Sequence, residues 1–124
     1  MTMTTTEVLQ AAKDRITPEE RWAKRTMARD INGLPCGVLA PTAVQWCADG
    51  ALTAALAEAK ADEAMAREVR ELLRLALPPS VYPMVTAYND SAMTDYEAIT
   101  ALFDRAITAS IELAAPLRVE LVPA

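Results

Sequence analysis

The chain has 124 residues, a hydrophobic fraction of 52%, a net charge of −5 and a pI near 4.7. Lys and Arg are spread along it without forming a basic stripe, so direct nucleic-acid binding is not expected. No apolar run reaches the ~18 residues of a membrane span, and Met1 to Gln10 lacks the basic and apolar regions of a secretion signal, so a cytoplasmic protein without membrane association is expected.

The sequence contains no histidine, which removes the usual general base, the Ser and Cys triads and His-dependent metal chemistry. Cys36 and Cys47 alone cannot complete a tetrahedral zinc site. Gly33, Gly37 and Gly50 fall at no spacing that cradles a phosphate after a strand. The expectation is therefore no catalytic residue, no metal and no cofactor. Ala supplies roughly a fifth of the chain, aromatics are 5% and Gly occurs three times. This composition favours closely packed helices over a sandwich or barrel. The expected fold is mainly α: a compact bundle of four to five helices forming a single domain over residues 1–124, with room for a small β-hairpin or short edge strands.

In chain order, Thr4, Thr5 and Thr6 offer N-caps for a helix from Glu7 to Arg15, with Val8, Leu9, Ala12 and Ile16 as its apolar stripe. Thr17-Pro18-Glu19-Glu20 reads as a further helix start. Asn32-Gly33 is a turn signal, able to close a hairpin between Met27 to Ile31 and Leu34 to Leu39 or to sit in an irregular loop. Pro41-Thr42 predicts a helix from Ala43 to about Ala61, which places Cys47 a turn inside it. Asp62 marks a boundary or a cap, after which Met65, Val69, Leu72, Leu73 and Ala76 repeat at helical spacing until Pro78-Pro79. Glu63 and Arg67 give that helix a solvated face. Ser80 to Asp90, with Val81, Met84 and Val85, reads as a packed connection or short strand. Thr94-Asp95-Tyr96-Glu97 is a capping box opening a helix from Asp95 to about Ala114, with Ile99, Leu102, Phe103, Ala106, Ile107 and Ser110 inward. Leu117, Val119 and Leu121 alternate with charges, as in an edge strand or a partner-facing extension.

Three segments in this order carry a family resemblance: Ala43 to Leu52 with its Trp46-Cys47 and Gly50-Ala51-Leu52, then Tyr88-Asn89-Asp90, then Phe103-Asp104-Arg105-Ala106-Ile107. Together with Trp22 and Met27-Ala28-Arg29-Asp30 followed by Gly33, they resemble an uncharacterised bacterial and phage domain family. Where that family carries Trp and Arg, this chain has Tyr88 and Met93. The resemblance implies a small helical domain and carries no activity with it.

Trp46, Cys47 and Gly50 read as packing residues: a buried aromatic, a small apolar thiol and a glycine that lets another backbone approach. Asn89 and Asp90 read first as turn chemistry, and Asp104 with Arg105 as a structural ion pair. Arg29, Asp30, Asn89, Asp90, Asp104 and Arg105 are the candidates for a polar site. A Cys36–Cys47 disulfide is a minor alternative to free thiols. The leading functional expectation is a helical protein-interaction module, self-associating or binding a protein partner. A second is a carboxylate- and arginine-based enzyme or ligand-binding protein, which requires two of Asp30, Asp49, Asp90 and Asp104 in one pocket. A third is an acidic inhibitor of a nucleic-acid-processing protein.

Overall fold

The computed structural model describes residues 3–78 and 84–114. Five α-helices and one two-stranded antiparallel sheet make up the regular structure among these residues: α1 (Thr5–Arg15), β1 (Ala28–Arg29), β2 (Gln45–Trp46), α2 (Ala48–Glu58), α3 (Glu63–Leu75), α4 (Val85–Asp90) and α5 (Tyr96–Ala114). The fold is thus mainly helical with a small sheet. None of the helices is long and apolar enough to cross a membrane among the described residues. The segments Ser80 to Val81 and Leu117 to Leu121, read above as part of a connection and as an alternating tail, lie outside the described residues.

α1 starts where its threonines predict. The Thr4 side chain accepts from the Glu7 amide, while the Glu7 carboxylate accepts from the Thr4 amide at 2.8 Å, which closes a capping box. Val8, Leu9, Ala12 and Ile16 are fully buried on one face. That face packs against α2 and α5, and α3 closes the bundle against α5 and α1. α2 is buried nearly all round, through Ala48, Gly50, Ala51, Leu52, Ala54, Ala55 and Leu56, as befits a central helix built from small residues. Phe103 of α5 is the largest fully buried side chain, joined in the core by Ile99 and Leu102. A polar contact between α1 and α5 lies in this packing: Ser110 Oγ donates to the Ile107 carbonyl at 2.7 Å and so accepts from Thr6 Oγ1, also at 2.7 Å.

Four local expectations are corrected. After Pro18 the chain makes only a 3-10 turn, Glu19–Arg21, and then extends at Trp22, because Trp22 bridges to Trp46 and the Ala23 amide donates to the Trp46 carbonyl at 2.9 Å. The helix predicted from Ala43 begins instead at Ala48. Residues 43–47 are drawn into pairing with the 27–29 segment, through Val44 N to Arg29 O at 2.9 Å and Cys47 N to Met27 O at 3.2 Å. Cys47 is consequently the N-cap, its sulfur accepting from the Gly50 amide at 3.2 Å, and not a residue inside the helix. Within the segment read as a packed connection or short strand, Val85–Asp90 is a short helix: Tyr88 and Asn89 are neighbours and both buried, whereas a strand would send them to opposite faces. At α5 it is Asp95, not Thr94, that caps, its carboxylate accepting from Ala98 N at 2.8 Å. The Thr94 side chain is buried and its carbonyl is occupied by Lys24 at 2.8 Å.

The hairpin around Asn32-Gly33 is present in reduced form. Asp30 N donates to Leu34 O at 2.9 Å, Cys36 N donates to Ala28 O at 3.1 Å, and Arg29 bridges Pro35. Gly33 supplies the positive φ of 80° that the turn requires. The longer pairing of the 28–29 segment is on its other side, with Gln45 and Trp46.

At Gly50 the segment leading into the sheet comes into close contact with the bundle. A Cβ on it would stand 2.0 Å from the Met27 carbonyl oxygen and 2.8 Å from the carbonyl carbon. The backbone of the 27–29 segment therefore rests directly on α2, and the helical cost of a glycine, about 1 kcal/mol relative to Ala, is offset by that approach. Gly50→Ala should destabilise by about 3 kcal/mol or more despite its better helix propensity, read as a lowered urea midpoint. An unchanged or raised midpoint would show that the loop stands off from the helix.

Candidate functional site

The polar centre of the molecule is Asn89, fully buried at the end of α4. Its amide oxygen accepts from the Trp22 indole N–H at 2.7 Å and from the Ala48 backbone amide at 3.0 Å. Its amide nitrogen donates to the Ala23 carbonyl at 3.0 Å and to Asp90 Oδ1 at 3.1 Å. Two acceptor positions and two donors are all that a side-chain amide offers, and each is used. Asp90 Oδ1 also accepts from the Arg25 amide at 2.8 Å, fixing a residue held at a left-handed φ of 68°. The Lys24 ammonium donates to the carbonyls of Ser91 and Thr94 at 2.7 and 2.8 Å and lies 5.2 Å from the centre of the Trp22 ring. Trp22 also meets Tyr96 at a centroid distance of 6.1 Å. Residues 22–25 are thus fastened to the α4–α5 junction and to the first turn of α2.

The segment that follows is ordered by the same means. The Arg29 guanidinium donates to Gly33 O and Lys24 O, both at 2.9 Å. The Asp30 carboxylate accepts from Asn32 N at 2.9 Å and Leu34 N at 3.0 Å, an Asx-type closure of the turn. The Trp46 indole donates to Val38 O at 2.9 Å, and Arg15 stacks 4.9 Å over the Trp46 ring while pairing with Glu58. What this framework presents outward is apolar: Ile31 is 85% exposed, Leu34 60%, Leu39 52% and Val44 39%. From Ile31 to Ala48 the chain contains no Asp, Glu, Lys or Arg, although these make up 23% of the sequence. The turn, helix-start and packing motifs read in this stretch do not register its absence of charge, which is the signal the sequence offers here.

The six polar candidates do not meet in one place. Asn89 and Asp90 adjoin, and Arg29 reaches the same region through Lys24 O. Asp30 is spent on its own turn. Asp104 pairs with Lys13 across α5 and α1 at 2.6 Å, and Arg105 Nε donates to Ala76 O at the C-terminal end of α3 at 2.9 Å. Asp49 pairs with Arg70 at 2.8 Å. The cavity that Asp49 lines, with Leu52, Leu73 and Val85, includes none of Asp30, Asp90 and Asp104, and the shallow one beside Asp104 likewise has a single carboxylate from this set. A groove of about 600 Å³ between the C-terminal end of α3 and the middle of α5 is lined by apolar residues apart from Arg105. Among the described residues no group of three or more Cys, Asp and Glu is placed to hold a metal ion.

Trp46, Cys47 and Gly50 sit together, all buried, where the sheet joins α2. Burial pushes the Cys47 thiol up, the hydrogen bond from the Gly50 amide offsets this only in part, and Met27 Sδ lies 3.8 Å from its sulfur. Cys36 and Cys47 are both free. They bond to consecutive carbonyls of the 27–28 backbone and therefore flank it on opposite sides. Two strand spacings separate them, roughly 10 Å, whereas a disulfide needs Cα atoms within about 7 Å.

Two outcomes follow from this geometry. Asn89→Asp would set a carboxylate oxygen against Ala23 O and the Asp90 carboxylate, costing about 3–5 kcal/mol at neutral pH. Desolvation and Asp90 raise the folded-state pKa of that new acid above its unfolded value, so its penalty grows as pH rises through this window and shrinks in acid. The deficit in melting temperature against the native sequence should be larger at pH 7 than near pH 4, and a deficit independent of pH would count against the four-bond hub. A thiol reagent such as DTNB should titrate Cys36 in the folded protein and Cys47 only on unfolding; rapid labelling of both would contradict the capped, buried thiol.

Comparison with curated proteins and with solved structures finds no match for this chain. Comparison with protein families finds one, over residues 1–109, which span the sheet, the Asn89 hub and most of α5. The chain belongs to the family of unknown function DUF6197.

Proposed function

We propose that this chain is a protein-interaction module that docks its partner through the uncharged loop from Ile31 to Val44. The observation that carries the reading is the display of Ile31, Leu34 and Leu39, each more than half exposed, on a backbone held by Asp30, Arg29 and Trp46. Ordering a loop costs about 1–2 kcal/mol per residue in backbone entropy, and these side chains return little of it by burial within the chain. Covering two such side chains completely would contribute on the order of 3–5 kcal/mol to association. A loop already fixed in one conformation loses less entropy on binding, which is how preorganised surfaces gain affinity. The rival reading as a carboxylate-based catalyst draws no comparable support, since Asp30, Asp49, Asp90 and Asp104 are committed to separate partners.

The test places a photo-crosslinking amino acid in place of Leu34 and, as a control, in place of the exposed Ala64 of α3, in the native cell. A discrete protein adduct from position 34 and none from position 64 is the expected result. No adduct from position 34, or equal labelling from both, would overturn the reading.

A further inference from the structure

We propose that the groove between α3 and α5 is a binding site for an aliphatic carboxylate, its hydrocarbon chain along the apolar wall and its headgroup on Arg105. The inference stands apart from the loop reading, since none of Ile31 to Val44 is among the described residues that line the groove. Leu72 and Leu75 of α3, Ala76 and Leu77 beyond it, and Ala109 of α5 surround about 600 Å³, a volume within the range of small-molecule sites. Leu75 is 65% exposed there. Ala76 and Ala109 are the small residues of the wall, and a longer side chain at either would take up part of the space.

Arg105 is the one charged residue among the described residues that line this groove. Its Nε donates to the Ala76 carbonyl at 2.9 Å, occupying one of the carbonyls that the end of α3 leaves without an intrahelical partner. That bond fixes the guanidinium beside the apolar wall, while Nη1 and Nη2 have no partner among the described residues. Asp104, its neighbour in sequence, is paired with Lys13 at 2.6 Å. Glu112 shares a shallow adjoining cavity with Arg105 and forms no ion pair with it among the described residues. A carboxylate meets two terminal N–H groups in the bidentate geometry that arginine favours. Asp104 and Glu112 also disfavour a headgroup of higher charge, such as a phosphate dianion. A ligand without an apolar chain would leave the leucines in water, and one without an anion would leave Arg105 unpaired, so the two features together select an amphiphile with a single negative charge.

The test titrates decanoate, below its micelle concentration, and its neutral counterpart decanol into the full isotope-labelled chain, followed by amide NMR shifts. Decanoate should bind with a Kd under about 1 mM. It should move the amides of Ala76, Leu77, Arg105 and Ala109 and the Arg105 Nε–H, leaving those of Ile31 to Val44 in place. Decanol should bind the same groove at least about fivefold more weakly. Arg105→Gln should erase that preference, bringing the two ligands within about twofold of each other, and retained decanol binding shows that the groove survives the loss of the Ala76 bond. Ala109→Leu should weaken both ligands at least about fivefold by filling the groove, with melting temperature as the check on folding. On the native chain, no binding, shifts centred away from α3 and α5, or equal affinity for the acid and the alcohol each overturns the assignment. The loop reading is untouched by any of these results, because its own test is read at position 34.

Discussion

The buried amide of Asn89 is the constraint on which the arrangement of this protein depends. It lies at the end of a six-residue helix, yet its partners, Trp22, Ala23 and Ala48, come from segments far away in sequence. A buried side-chain amide is costly unless all its hydrogen bonds are made, and here the two acceptor and two donor positions point to four different groups. Only one placement of the 22–25 segment against α2 and α4 meets all four, so the amide selects a single packing where apolar contact alone would accept several.

From that placement follows the sheet. Once Trp22 and Ala23 are fixed beside Trp46, the chain re-enters over α2, and the Met27 carbonyl comes down where only a glycine leaves room. The pairing of residues 27–29 with 44–47 then outweighs the helix-start signal at Pro41-Thr42, because backbone groups joined in a ladder are unavailable to a helix. The first turn of α2 begins at the end of this ladder, with a thiol as its cap and the Asn89 oxygen on its first amide.

This dependence accounts for what could be read in the sequence. α1 and α3 are legible because their signals are local: Thr4 with Glu7, and Asp62, whose carboxylate caps at Met65, lie within one turn of the residues they serve. The buried face of α5 is legible from the spacing of Ile99, Leu102, Phe103 and Ala106. The start of α2 was displaced because cysteine is not among the strong N-cap residues and because the competing strand lies well away in the chain. Turn chemistry describes only the immediate neighbours of Asn89 and Asp90; that Asn89 reaches back to Trp22 is a tertiary fact with no local signature. Asp104 and Arg105 show the converse. Adjacent in sequence, they face different helices, one pairing with α1 and the other capping α3, so proximity along the chain did not make them a site.

The division of labour between anchor and display bears on function. The ion pairs that cross the helices, Lys13 with Asp104, Arg15 with Glu58 and Arg70 with Asp49, each have an exposed partner and are worth at most about 1 kcal/mol apiece. Stability therefore resides in the apolar core and the Asn89 hub, both remote from the tips of Ile31, Leu34 and Leu39. The groups that order the loop are main-chain atoms and the side chains of Arg29, Asp30 and Trp46, while those it exposes take no part in ordering it. A surface built this way can change its exposed residues at little cost to the fold. At Trp46, Cys47 and Ala48 burial accounts for the absence of charge, whereas at the exposed Ile31, Leu34, Leu39 and Val44 it is a property of the surface itself, which neither the core nor the hub requires.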